Sequence, residues 1–287
     1  MQKIPFVHIK DAIKEPAFAG QFSIRKLEDF LAGKEMVQEL HRHNFFYLLV
    51  LDKGQGEHRI DFVSYTITDH CVFFMRPGQV HDLHLKADSS GYLIAFTEDF
   101  YTPLGQSANQ VFRSASSKNF CPLLVDRFDN LLIILARMLG EYNAKEENYL
   151  DVIHSSLSIF FVELTRRCAD VESATIGKNA YLHERLNEFQ QLISQHVAIH
   201  KQPAWYAKQM NLTSYQLNAV TKAVLAKTSS EVINDYIVLE AKRYLLATAN
   251  QISQIAWHLG YEDVSYFIRF FGKRTGHSPE AFRSIFS

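Results

Sequence analysis

The sequence predicts an α+β chain of two domains. The front domain is a β-barrel or sandwich with a helical hairpin, and the back domain is an all-α bundle with two helix-turn-helix units. Three observations carry the prediction. Short apolar runs cut by Gly, Asp and Pro fill residues 22–100. From Tyr181 onward the apolar period becomes almost wholly helical. Within that helical region a single pattern recurs, with Ala207 and Ala256 offset by 49 residues. At 287 residues, two domains of ordinary size are the natural division.

In the front region, Phe45 to Leu51 (FFYLLVL) reads as a strand, and Gly54-Gln55-Gly56 sits where a hairpin turns. IDFVSYTIT, CVFFM and YLIAF read as further strands, with Arg76-Pro77-Gly78 as the turn that ends the run from Cys71 to Met75. The polar break Ser114 to Asn119 closes this region. Beyond it, Leu123, Leu124, Phe128, Leu131, Leu132, Leu135, Met138 and Leu139 share one apolar helix face. Leu150, Val152, Ile153, Leu157, Phe160, Phe161 and Leu164 form a second. The charged turn around Lys145 to Asn148 joins the two helices, which should pack antiparallel. Val171 to Lys178 is polar and small and reads as a linker. The expected boundaries are 1–120 for the sheet domain, 121–170 for the helical element, 171–180 for the linker and 181–287 for the helical bundle.

The repeat in the back region obeys one physical requirement twice. Ala207, Met210 and Leu212 lead to a helix start at Thr213-Ser214, and Ala256, Leu259 and Tyr261 lead to one at Glu262-Asp263. A small Ala lets two helices cross closely, and a short polar side chain caps the next helix. The turn itself needs a permissive backbone, supplied by Gly260 in one copy and Asn211 in the other. Between the copies, Ser229 to Ala247 reads as one long helix, capped by Ser229 or Ser230 with Glu231 in its first turn. Such a helix fixes the distance between the two second helices. At a spacing near one turn of DNA, ~34 Å, both enter successive major-groove segments on one face.

Helical geometry then sorts the residues. Leu217, Val220 and Val224 point inward, which leaves Ser214, Tyr215, Asn218, Ala219 and Lys222 outward. Phe267, Phe270 and Phe271 are core, so Val264, Ser265, Ile268, Arg269 and Lys273 face out. Arg269 is suited to guanine O6 and N7 and Asn218 to adenine, whereas Lys222, Lys273 and Arg274 are better placed for phosphates. Charge agrees with this division. Residues 181–287 hold 11 Lys/Arg against 8 Asp/Glu, while residues 1–180 hold 19 against 23.

Cys71, Cys121 and Cys168 are odd in number, widely spaced and without a CxxC pair, so they read as buried or free thiols in a reducing compartment. The chain starts without an apolar signal core, and no run approaches the ~18 residues of a membrane span. A cytoplasmic protein with no membrane partner is expected.

His41, His43 and His81 invite a metal reading, because an HxH on one strand puts both imidazoles on one face. The residues after it, NFFYLLVL, contain no carboxylate, and Glu57 lies beyond the turn. Neither a metal, another cofactor nor a catalytic residue is therefore assigned. His41, His43, Tyr47, His58 and His81 are taken as polar groups lining an effector pocket, or as satisfied structural side chains.

The stretch ISQIAWHLGYEDVSYFIRFFGKRTGHSPEAFR, Ile252 to Arg283, closely resembles the second helix-turn-helix of the AraC/XylS family of bacterial transcription regulators. Ala241-Lys242-Arg243 and Leu245-Leu246 resemble the family's linker helix, and Gly276, Ser278, Pro279 and Phe282-Arg283 its terminal pattern. The first unit departs from the family at Ala219, Thr221 and Ala226. The resemblance implies a cupin-like sensing barrel in front and a homodimer contact through one of the two hairpin helices. It also implies promoter DNA as partner, with RNA polymerase if the protein activates. Its groove-facing positions fall on Tyr215, Asn218, Ala219, Ser265 and Arg269. The expected function is a non-enzymatic, DNA-binding regulator responsive to a small molecule. The competing expectations are a front domain used only for oligomerisation, and a metal-dependent cupin enzyme with a helical appendage.

Overall fold

The computed structural model describes residues 5–7, 21–103, 105–168 and 180–286. The chain divides into two compact units, Pro5–Ser173 and Ala174–Ser287. Most of the expected linker, 171–179, lies outside the described residues. The α+β class and the order of sheet before helices are as the sequence predicts.

The first unit is built on two five-stranded sheets. One has the order β1 (Phe6–Val7), β3 (Met36–His43), β8 (Val80–Leu85), β5 (Gly56–Ile60), β6 (Val63–Ile67). The other has the order β10 (Phe120–Pro122), β7 (Cys71–Met75), β4 (Phe46–Lys53), β9 (Ser90–Phe96), β2 (Phe22–Lys26). All pairings are antiparallel except β1 with β3. A short helix, α1 (Leu27–Leu31), follows β2.

Strand β4 explains its own sequence. Tyr47, Leu49 and Leu51 face a core shared with Met36, Phe73, Leu83 and Leu85 from both sheets. Phe46, Leu48 and Val50 face the opposite way, onto Phe128, Leu131, Phe160 and Phe161 of the covering helices. Both faces are buried, so the strand is apolar without a break rather than alternating.

The helices on that outer face are α2 (Gly105–Ser117), α3 (Val125–Ala144) and α4 (Tyr149–Cys168). The hairpin of α3 and α4 is the expected one. Helix α3 stops where Lys145 adopts a left-handed conformation and donates its N–H to Glu141 O. The sequence reading missed α2, because Ser, Asn and Gln dominate it, and it placed a polar break over the last turn of that helix.

Three local expectations are corrected. Gly54-Gln55-Gly56 does not turn a hairpin, since β4 and β5 belong to different sheets and the segment crosses between them. Gly56 is required there because a Cβ would stand 2.0 Å from His84 O. IDFVSYTIT is not one strand. Asp61 (φ 47°) and Phe62 (φ 69°) are both left-handed and form the two-residue turn between β5 and β6. The cysteines are not all free thiols. Cys121, in β10, and Cys168, at the end of α4, form a disulfide across 47 residues, with Cα atoms 5.9 Å apart. Spacing alone concealed the pair because it is made by tertiary approach. Cys71 remains a buried thiol, pushed up to about 11 by burial.

Among its described residues the second unit is all-helical: α5 (Ala180–His196), α6 (Pro203–Gln209), α7 (Ser214–Leu225), α8 (Ser229–Ala247), α9 (Ile252–His258), α10 (Val264–Thr275) and α11 (Pro279–Phe286). Among the described residues no helix is long and apolar enough to cross a membrane.

Candidate functional site

The two helix pairs α6/α7 and α9/α10 repeat each other bond for bond. Leu212 N–H donates to Ala207 O at 2.8 Å, and Tyr261 N–H donates to Ala256 O at 2.9 Å. One residue earlier, Asn211 N–H meets Lys208 O at 3.1 Å and Gly260 N–H meets Trp257 O at 2.9 Å. Asn211 and Gly260 are both left-handed, at φ 54° and 73°. Ala207 and Ala256 are buried at the helix crossings, as the sequence requires.

Each second helix starts with a cap. Thr213 accepts from Gln216 N–H, and the Gln216 side chain accepts from Thr213 N–H at 2.8 Å, closing a capping box. Asp263 Oδ1 accepts from Ser265 N–H at 2.8 Å and from Tyr266 N–H at 3.1 Å. The first turns of α7 and α10 are thus rigid, and these are the turns a recognition helix presents to base edges.

Behind the caps the inner faces are buried. Leu217, Val220, Phe267 and Phe271 are in the core, while Val224 and Phe270 are only half-buried. Ser214, Tyr215, Ala219 and Lys222 are exposed on α7, and Ser265, Ile268, Arg269, Lys273 and Arg274 on α10. The Arg269 side chain is 69% exposed, and its nearest carboxylate oxygen, Asp263 Oδ2, is 4.0 Å away. Arg274 Nη1 lies 3.7 Å from Asp235 Oδ1, and Lys227 Nζ donates to Asp235 Oδ2 at 2.7 Å.

Three residues differ from expectation. Val264 is half-buried rather than fully outward. Asn218 is half-buried, and its Oδ1 accepts from both Ser229 N–H and Ser229 Oγ–H at 2.9 Å. Its acceptor is therefore occupied at the start of α8, and the bidentate reading of adenine is lost. The cap of α8 is Thr228, not Ser229 or Ser230, in a capping box with Glu231.

The linker helix holds both helix-turn-helix pairs. A buried Glu240–Arg243 ion pair lies within it. Arg283 of α11 donates to Leu245 O at 2.9 Å and to Asn250 O at 2.6 Å, stapling the chain end to the exit of α8. Lys201 Nζ donates to Gly260 O at 2.8 Å, fixing the second turn against the loop after α5.

In the first unit, a cavity of about 260 Å³ opens between the sheets, with Arg25, Gln38, His41, His43, Phe45 and Tyr47 among its lining residues. A β-bulge in β3 builds this wall. Gln38 pairs with Leu83 and His41 with His81, so three steps on β3 match two on β8 and both Gln38 and His41 face inward. His58 and His81 stand behind the wall rather than in it. His58 Nε2 lies 3.0 Å from His81 Nδ1, and His81 Nε2 lies 2.8 Å from His43 Nε2 and 3.1 Å from His41 Nε2. Burial, reinforced by the neighbouring imidazoles, pushes His43 and His58 down to about 3 and lowers His81 strongly. The buried Tyr47 hydroxyl has no hydrogen-bond partner among the described residues, and burial raises it above its ordinary range. Sequence reasoning missed Arg25 and Gln38, because β2 and the bulge give no periodic signal.

Two family models match the chain in register with these two sites. An AraC-like ligand-binding domain matches residues 33–148, and a helix-turn-helix domain matches residues 206–285. The chain belongs to the AraC family of transcription regulators. The regulator is 21% identical over 264 residues to the HTH-type transcriptional regulator YfiF of Bacillus subtilis, covering 86% of this chain and 79% of that one. It is 23% identical to the HTH-type transcriptional activator RhaS of Escherichia coli O157:H7, covering 85% and 86%. Among solved structures it is similar to ToxT from Vibrio cholerae O395, at 15% identity and a TM-score of 0.43, over 93% of this chain and 98% of that one. The regulator is a DNA-binding transcription factor with a ligand-binding domain in front, and the relatives named above are transcription regulators.

Proposed function

We propose that this regulator reads promoter DNA with the exposed faces of α7 and α10, and that a small molecule in the front cavity governs the reading. The observation that carries this is the pair of capped, rigid helix starts whose outer faces are free of packing. Tyr215 and Ala219 on α7, and Ser265 and Arg269 on α10, face base edges. Ser214, Lys222, Lys273 and Arg274 meet phosphates, and Val264 supports the first turn of α10. Asn218 acts through Ser229 as a positioning residue. Specificity rests more on α10 than on α7, since Arg269 has no counterpart at Ala219.

The effector is a small molecule with an apolar body and a few polar groups, to suit a cavity of about 260 Å³ walled by Phe30, Phe45 and Leu93 as well as by Gln38, His41 and His43. His58 and His81 set the tautomers of that wall. The two units correspond to separate sensing and reading domains. The protein works as a homodimer in the bacterial cytoplasm, with contact through α3, where Val125 (59%) and Ile133 (68%) are left exposed. RNA polymerase is the further partner if binding activates. Selection of bound sequences from a random DNA pool tests the reading. An enriched site of two half-elements about one helical turn apart supports it, and a pool that stays random overturns it.

A further inference from the structure

We propose that the front domain is also a transition-metal site, in which the Nε2 atoms of His41, His43 and His81 bind a divalent ion of the zinc class and leave one coordination position open to the cavity. This goes beyond the DNA-reading function and does not depend on it. The sequence sets metal aside because no carboxylate follows the HxH. The folded chain supplies a ligand set that needs none, since three neutral imidazoles with an open fourth position make a complete site for zinc.

The geometry carries the argument. His41 and His43 lie two residues apart on β3, and His41 is the cross-strand partner of His81 on β8. One ligand atom from each of the three lies within 4.8 Å of the others. Zinc–nitrogen bonds of ~2.0–2.1 Å in a tetrahedron place nitrogens ~3.3 Å apart. His81 Nε2 stands at 2.8 and 3.1 Å from the other two, and all three ligand atoms lie within 4.8 Å of one another, so side-chain rotation that evens out these separations admits the ion.

Hydrogen bonding alone leaves the cluster poorly satisfied. His41 Nδ1 is 2.7 Å from Glu39 O, and a carbonyl only accepts, so Nδ1 carries the proton and Nε2 is a bare lone pair. A proton on His81 Nε2 would then be shared between two acceptors. A proton on His43 Nε2 as well would set two N–H groups against each other. His43 Nδ1 is buried without a partner among the described residues, and coordination through Nε2 leaves it as it is. An ion at the centre takes up all three Nε2 lone pairs. It also fixes His81 Nδ1 as the donor to His58 Nε2, so that His58 becomes the outer partner that metal-binding histidines generally have. His41 and His43 line the cavity while His81 lies behind it, which directs the open position towards the space where an oxygen of a small ligand or a water can sit.

The test uses the full chain, stripped with a strong chelator and then titrated with Zn²⁺ in competition with a chromogenic chelator, and separately with Co²⁺. The expected result is one ion per chain and the intense visible bands of four-coordinate Co²⁺. His43→Gln and His81→Gln should each weaken Zn²⁺ at least about 100-fold. His58→Ala, which removes only the outer partner, should weaken it about 10–100-fold with the Co²⁺ bands retained. His84→Gln, on the same strand but exposed and paired with Glu35, should change nothing. Should the two buried variants fail to fold by circular dichroism, His41→Gln at the cavity rim and an X-ray absorption spectrum of the wild-type zinc form replace them. An all-nitrogen, imidazole-type shell is expected there. The proposal is overturned by wild-type protein that retains less than one ion per chain, by six-coordinate Co²⁺ bands, or by an equal loss in His84→Gln. DNA binding plays no role in these readouts, so failure here leaves the proposed reading of DNA standing.

Discussion

Asn218 Oδ1 accepts two hydrogen bonds from Ser229, one from the backbone N–H and one from the hydroxyl, each at 2.9 Å. The bond pair ties the middle of the first recognition helix to the first turn of the linker helix, eleven residues on. It helps to hold the angle between α7 and α8, beside the buried apolar residues of both helices. Asn218→Ala should therefore cost about 1–2 kcal/mol of stability, because it leaves a capped N–H and a buried hydroxyl without their acceptor. Urea unfolding of the full chain measures this. DNA binding should weaken by a similar factor on every operator variant. A loss confined to operators carrying one particular adenine would mean that Asn218 reads a base after all.

Arg269 is the opposite case, an exposed guanidinium that among the described residues approaches a carboxylate only at Asp263, at 4.0 Å. Arg269→Ala should leave stability within about 0.5 kcal/mol of wild type, as surface changes do. It should cost about 1–3 kcal/mol of affinity and relax one base position. Lys273→Ala should instead weaken all duplexes alike and lower the salt slope of log K by about 1. Anisotropy titrations over a salt series, with each base substituted in turn, separate the two behaviours.

The contrast marks what is legible in the sequence. The helix-turn-helix repeat is legible because it is local. Ala207, Asn211 and Thr213 in one copy and Ala256, Gly260 and Asp263 in the other each satisfy a requirement set within a few residues. Thr228 as the cap of α8 is within reach too, since Thr228 and Glu231 stand at capping-box spacing. Asn218 misleads because its partner is made by tertiary packing, which helical period does not encode. The β-bulge between Gln38 and His41 likewise breaks the strand parity on which any sequence assignment of inside and outside depends. The Cys121–Cys168 pair is invisible for the same reason, as a contact between a three-residue strand and the far end of a helix.

That disulfide anchors the last turn of α4 to β10, which itself pairs with β7. Closing a loop of this size stabilises a fold by about 2–4 kcal/mol. Cys121→Ser should lower the denaturation midpoint accordingly, and a reductant should lower the wild type to the same value. Peptide mapping without reductant should recover a cross-linked peptide containing both cysteines. Equal midpoints with and without reductant would mean that the bond does not form in the isolated protein.

Stability should also fall in acid, through the buried histidines. His43 and His58 are pushed down to about 3 by burial, against about 6.5 when unfolded. Between those values the unfolded chain binds protons that the folded one does not, so stability falls as pH falls. The contribution is whole above pH about 6.5 and is lost progressively towards pH 3, at up to about 1.4 kcal/mol per pH unit for each group. Chemical denaturation at pH 8, 6.5, 5 and 4 with a chelator present checks this. A flat profile between pH 6.5 and 4 would refute it.

Gly260 and Asn211 occupy equivalent turns, yet they should respond oppositely to substitution. Gly260 is left-handed, and a Cβ there would lie 1.6 Å from Ala198 O and 2.6 Å from Lys201 Nζ. The lysine can move, but the carbonyl belongs to backbone. Gly260→Ala must therefore displace the α9–α10 turn from the loop after α5, and Lys201 would lose its bond to Gly260 O. A cost well above the ~1 kcal/mol of left-handed strain alone is expected, together with loss of specific DNA binding as α10 tilts. Asn211 already carries a side chain in the left-handed region, and it is exposed. Asn211→Gly should thus change stability by less than about 1 kcal/mol, since relief of strain offsets the added freedom of the unfolded chain. Paired urea titrations decide the matter. If Gly260→Ala proves as mild as Asn211→Gly, the close approach of the second turn to Ala198 does not constrain the reader.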